Sequence, residues 1–284
     1  MNSAPWAMHA RRMFIVPAFA WLVATVAAPL VLVAAISLGE ATQGAPPFDW
    51  GFTISNYALI FADDLYLDAF LMSARIAATS TAICLVIGYP MALGIARARP
   101  DRRAWLLFLV MLPFWTSFLV RVYAWMGLLR PSGLVNSALQ ALGLIEEPLA
   151  LVANAFAVHL GIVFAYLPFM ILPLYATLER MDPALIEAAH DLGAGPARAF
   201  WRVTFPLSLP GVVAGALLVF IPASGEFVIP DLLGGPDTPM IGRILWLEFF
   251  QNRDWPVACA IATVLAAILA GPILLFDRLR TRSA

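Results

Sequence analysis

Six stretches of this chain are too long and too apolar to lie on the surface of a water-soluble fold: about residues 13–37, 69–96, 105–129, 150–176, 209–230 and 256–276. A helix rises about 1.5 Å per residue, so about 20 apolar residues cross a hydrocarbon core about 30 Å thick. Across 284 residues, 62% are hydrophobic and 12% charged, whereas soluble domains carry about a quarter charged residues. The reading is an all-α polytopic membrane protein with six transmembrane helices, organised as a single transmembrane domain over residues 1–284. The first run follows Arg11-Arg12 but is too long for a signal peptide, so it is expected to remain as the first helix.

Orientation follows from the arginines near the span ends. With both termini in the cytoplasm, the inner side holds Arg11, Arg12, Arg97, Arg99, Arg102, Arg103, Arg180, Arg198, Arg202, Arg278, Arg280 and Arg282. The outer side then holds Arg130, Arg243 and Arg253, while Arg75 and Arg121 fall within spans. Twelve against three decides the direction. All 17 basic residues are arginine, and a phosphate-binding loop of the Walker type needs a lysine. Any nucleotide-hydrolysing motor must therefore be a separate polypeptide, and nothing in the net charge of −1 points to nucleic acid. Cys84 and Cys259 lie inside apolar runs as structural thiols, and His9, His159 and His190 have no zinc-ligand spacing, so no metal or cofactor is expected in this chain.

Residues 177–208 are the long polar-rich interruption of the second half, on the inner side. Asp182-Pro183 signals a helix start and Gly193 suits a left-handed stop. Pro196 can open a second short helix, expected to end near Pro206, where the next apolar run begins. Ala188 and Ala189 leave room for close approach, and Glu187 and Asp191 share a polar side. The spacing Glu187-Ala188-Ala189, three residues, Gly193, nine residues, then Val203-Thr204-Phe205-Pro206 resembles the Glu-Ala-Ala loop of ABC-transporter permeases. It departs from that pattern with Val203 for Ile and Phe205 for Leu. The resemblance implies a type I ABC importer permease fold with a cytoplasmic coupling helix, in which Glu187, Ala188, Ala189, Asp191, Gly193 and Pro206 dock on an ATPase.

Charge inside a span is costly and is a functional hypothesis by default. Glu226 lies about 25 Å up the fifth span and Arg121 about 24 Å up the third, at similar depth in the outer half. Two readings stay open: a structural role, as an Arg121–Glu226 pair or an Arg121 that snorkels to the interface, or a Glu226 that faces a path and takes an ammonium group. Pro222, Gly225, Pro230 and Asp231 crowd the same segment as Glu226, which suggests unwound backbone lining a path. Trp115, Tyr123 and Tyr166 are candidate cation–π walls, and Arg243, Trp246, Asp254 and Trp255 in the last outer loop are candidate docking residues for an external protein. The outer segments carry eleven acids against three arginines, which is either a funnel for a cation or the residue of excluding arginine.

The segments Trp115–Gly127, Phe220–Pro236, Ile241–Trp246 and Asn252–Pro256 resemble the permeases of putrescine/spermidine importers, most closely the putrescine type. That resemblance implies an inner-membrane subunit that moves a polyamine inward, paired with a second homologous permease, a cytoplasmic ATPase dimer that binds ATP and Mg, and a periplasmic substrate-binding protein. Permeases for opines, iron or other amines share the pattern. A secondary transporter would need intramembrane proton relays, and an enzyme a nucleophile or metal constellation; neither is visible.

Overall fold

The computed structural model describes residues 5–282, with side chains placed from Ile15 to Gly271 apart from Ala18. The side chains of His9, Arg11, Arg12, Arg278, Arg280 and Arg282 therefore lie outside the described residues. In order, the helices are α1 (Pro5–Ile36), α2 (Ser55–Ala62), α3 (Asp64–Ala96), α4 (Pro100–Met111), α5 (Phe118–Leu129), α6 (Leu134–Ala141) and α7 (Ala155–Glu179). They continue as α8 (Ala184–Asp191), α9 (Pro196–Ala199), α10 (Phe205–Ser224), α11 (Val228–Leu233), α12 (Ile241–Leu247) and α13 (Trp255–Arg282). Between α1 and α2, the two-residue strands β1 (Glu40–Ala41) and β2 (Phe48–Asp49) pair antiparallel.

The chain divides into two compact units, Met1–Asp63 with Leu245–Ala270, and Asp64–Ile244 with Gly271–Ala284. In the first unit, Ile36, Phe48 and Cys259 bury together, backed by Val33 and Trp255. Asn56 donates from Nδ2 to the carbonyls of Ser37 and Gly39, both at 2.9 Å, which closes the end of α1 onto α2.

In the second unit, α3, α7 and α10 pack against one another. Lipid tails are as apolar as leucine, so helix association in a bilayer depends on close backbone approach at small residues. Gly88 of α3 and Gly215 of α10 both face Met170 of α7, and a Cβ built at Gly211 would come within 2.9 Å of the Pro173 carbonyl. A buried hydrogen bond of 2.8 Å joins the hydroxyls of Tyr89 and Ser208. At one end of the bundle Arg103 of α4 donates to Glu179 at 2.7 Å and to the Ala96 carbonyl at 2.9 Å, tying α4 to the last turns of α7 and α3.

The spans depart from the sequence expectation in three places. Among the described residues four helices are individually long and apolar enough to cross a membrane: Ile15–Ile36, Asp64–Ala96, Ala155–Glu179 and Pro196–Ser224. The run 105–129 is not one straight crossing, because Pro100–Trp115 and Phe118–Ala141 meet at 87°. Pro113 has no N–H to continue the ladder, the chain tightens into a single 3₁₀ turn over Leu112–Trp115, and Thr116 then satisfies the Pro113 carbonyl through both its N–H and its hydroxyl. The fifth run begins earlier and ends sooner than residues 209–230, since helix continues unbroken from Pro196 through Pro206 to Ser224. A π turn over Phe200–Thr204 precedes the proline and takes up the bond it cannot make, so the short helix opened by Pro196 does not stop there. Of α13, the segment Trp255–Gly271 is a shorter apolar helix, at the low end of what a bilayer requires.

These contacts separate two glycines that look alike in sequence. Gly211→Ala forces a methyl against the Pro173 carbonyl and Thr177 and is expected to lower stability by about 1–3 kcal/mol in detergent. Gly94→Ala, where a Cβ meets nothing within 4 Å, is expected to be neutral or slightly stabilising. Thermal unfolding of the two variants checks this, and equal losses would contradict the packing described.

Candidate functional site

The polar interruption folds as its residues direct. Asp182 accepts the Ala184 N–H at 2.9 Å and starts α8. Gly193 stops it at φ +80°, a conformation in which a Cβ is strained, and Pro196 opens α9. No residue of α8 is buried. Glu187, Ala188, Asp191, Gly193 and Pro206 are exposed and Ala189 is half-buried. Large apolar groups share this exposure: Leu192 is 89% exposed and Trp201 63%. Beside α8 lies a cavity of about 300 Å³, bounded by Arg97, Ile186, Glu187, His190 and Phe200. The result is a short helix with little of its own chain against it, carrying acidic and apolar groups together, which is the chemistry of a docking surface.

A second cavity, of about 450 Å³, opens where both broken segments meet α7. Arg121, Tyr166 and Glu226 all line it, so the structure gathers three of the predicted path residues. Glu226 is 7% exposed. Its Oε1 accepts N–H bonds from Phe227, Val228 and Ile229 at 3.1, 3.0 and 3.4 Å, and its Oε2 accepts the Tyr166 hydroxyl at 2.5 Å. Helix α10 ends at Ser224, and the carboxylate satisfies the amides that the break before α11 would otherwise orphan. Arg121 forms none of the three ion pairs among the described residues, so a structural Arg121–Glu226 pair is absent. Its guanidinium lies over Phe114 at 5.5 Å and Phe118 at 5.7 Å, with Nε and Nη1 buried and without hydrogen bonds.

The remaining candidates are elsewhere. Asp231 is paired with Arg243 at 3.1 Å. Trp115 is 74% exposed and packs edge-on against Phe108, and Tyr123 is 52% exposed. In the first unit Asp254 caps α13 by accepting the Val257 N–H at 3.1 Å, Trp255 stacks on Phe249 at 4.8 Å, and Trp246 packs on Phe250 at 5.4 Å. Sequence reasoning missed Phe114, Phe118, Phe169 and Phe227 as cavity walls. Phe118 stands three residues before Arg121, a helical neighbour spacing, and that was the available signal.

Residues 85–282 match the family of binding-protein-dependent transport system inner membrane components. The chain belongs to this family of inner-membrane permeases; it is a transport subunit and not an enzyme. It is 40% identical over 260 residues, 92% of this chain and 90% of the relative, to the spermidine/putrescine transport system permease protein PotB of Haemophilus influenzae. Identity is also 40% to the Escherichia coli PotB, over 80% of this chain and 82% of the relative. A crystal structure of a bacterial alginate ABC transporter in complex with alginate pentasaccharide-bound periplasmic protein contains a chain of the same fold. Its TM-score is 0.71 at 18% identity, covering 99% of this chain and 98% of that one.

The carboxylate's role in holding the break makes a clear expectation. Tyr166→Phe removes one of its four donors inside a largely apolar cavity and is expected to cost about 1–3 kcal/mol in unfolding experiments in detergent. Tyr123→Phe, at an exposed ring, is expected to cost nothing measurable.

Proposed function

We propose that this chain is one of two homologous permease subunits of an ATP-driven importer that carries a polyamine, putrescine in preference to spermidine, from periplasm to cytoplasm. The 40% identity to spermidine/putrescine permeases over nine-tenths of the chain supports the substrate class. A cytoplasmic ATPase dimer binds ATP and Mg, and a periplasmic protein delivers the polyamine; no cofactor resides in this chain. Both termini lie in the cytoplasm, in accord with twelve arginines on that side.

The observation that carries the reading is the Gly193-stopped helix α8, with no buried residue, joined by the short turn 192–195 to helix that runs unbroken from Pro196 to Ser224. Glu187, Ala188, Ala189 and Asp191 seat in the ATPase, Gly193 sets the turn and Pro206 lies where the helix enters the bilayer. When ATP closes the ATPase dimer, α8 moves with it. The rigid rod from Pro196 to Ser224 transmits that displacement to the break at Gly225–Phe227, where Glu226 and Tyr166 border the path. There the Glu226 carboxylate supplies counter-charge and the aromatic walls polarisable surface for an ammonium group. Since Glu226 already accepts four donors, an entering ammonium competes with Tyr166 for Oε2. Trp115, Tyr123 and Asp231 border the outer part of the path, and Arg243, Trp246, Asp254 and Trp255 meet the binding protein.

Uptake of labelled putrescine by cells expressing the complete transporter tests this. Gly193→Val disfavours the left-handed turn at a position where a Cβ meets nothing within 4 Å, and is expected to lower uptake at least about tenfold with the chain at its normal membrane level. Gly195→Ala, at an ordinary φ of −64° with open space around it, is expected to leave uptake unchanged. Wild-type uptake by Gly193→Val would remove the coupling role. Binding of putrescine and spermidine to the cognate periplasmic protein decides which is the preferred substrate.

A further inference from the structure

A third cavity, separate from the path and from α8, runs between α3 and α4. It holds about 510 Å³ and is bounded by Pro90, Met91, Gly94 and Ile95 on one side and Leu106, Leu109 and Val110 on the other. No polar side chain lines it. Gly94 contributes a flat wall, with nothing within 4 Å of where its Cβ would stand, and Met91 and Leu109 are 41% and 58% exposed. A slot of this kind facing hydrocarbon accepts a flexible apolar chain.

The end of the slot carries charge. On α4, Arg102, Leu106 and Leu109 stand at the spacing i, i+4, i+7, so one helix face changes from cationic to apolar within about two turns. Arg99, at the N-cap of α4, lies a further turn below on that face. Its contact with Asp101, 3.4 Å between side chains 76% and 60% exposed, is a weak surface pair that leaves the guanidinium accessible. Arg103, by contrast, is committed to Glu179. From Arg102 to Val110 the helix rises about 12 Å, close to the roughly 15 Å depth of one leaflet's hydrocarbon. The slot thus has the polarity and length of a single phospholipid: cationic at one end and apolar through the depth of a leaflet.

We propose that this groove is a binding site for an acidic phospholipid, with an acyl chain between Gly94 and Leu109 and the phosphate on Arg102 and Arg99. The proposal rests on the cytoplasmic placement of these arginines given above, which makes the occupant an inner-leaflet lipid. Bound there, the lipid fills the joint between the α3 end and the first half of the broken span, and holds α4 at an anionic surface.

The test is native mass spectrometry of the complete transporter purified from membranes holding equal amounts of phosphatidylglycerol and phosphatidylethanolamine. Wild type is expected to retain phosphatidylglycerol with a preference on the order of tenfold, from two arginines beside an anionic headgroup. The variant Arg99→Gln/Arg102→Gln is expected to lose that preference, and Gly94→Phe, which fills the open slot, to retain neither lipid. Unchanged retention in both variants overturns the proposal. Disulfide capture of Leu109→Cys by a cysteine of the companion permease also overturns it, since protein would then cover the groove. Lipid retention is read independently of putrescine uptake, so the two proposals fail separately.

Discussion

Hydrocarbon offers no hydrogen bonds, so each backbone amide within the spans must find its partner within the protein, and the architecture is governed by how that requirement is met wherever helix is interrupted. At Leu112–Thr116 the carbonyl of Pro113 is taken by Thr116. At Phe200–Thr204 the ladder widens by one residue, and helix runs on through Pro206. At Gly225–Phe227 neither remedy is used: a carboxylate turns back onto three amides of the following turn, and a tyrosine of α7 bonds its other oxygen. The most expensive group to hold in a bilayer is thus placed where the backbone most needs an acceptor.

In the proposed function, that placement is what links structure to transport. The break held by Glu226 borders the same cavity as the break at Leu112–Thr116, so the two discontinuities in the bundle create one chamber beside α7. Below it the three-helix core is tightly packed at Gly88, Gly211 and Gly215, which makes the rod from Pro196 to Ser224 a firm element rather than a soft one.

The sequence made the polar turn legible because its signals are local: Asp182 captures the Ala184 amide, Gly193 takes the left-handed φ, and Pro196 begins a helix. Apolar runs located the spans because length in a bilayer is also a local property. The failures all involve proline or charge. Pro206 was read as a stop, but a π turn accommodates it; residues 105–129 were read as one span, but the chain bends by 87° just after Pro113. Whether a proline bends, breaks or is absorbed depends on what satisfies the carbonyl one turn before it, which spacing does not encode. Glu226 stood out in the sequence as a charge inside an apolar run and it is buried, yet its partners are its own following amides and a tyrosine sixty residues away. Arg121, equal in estimated depth, turned instead to two phenylalanine faces.

The account depends on α8 being a surface helix completed by another protein. Amide hydrogen exchange over residues 182–195, compared between the permease pair alone and the same pair with its ATPase and ATP, measures that most directly. The account predicts fast exchange in the first state and slowing across Ala184–Asp191 in the second. Equal exchange in both states, with the ATPase present in the complex, would contradict it.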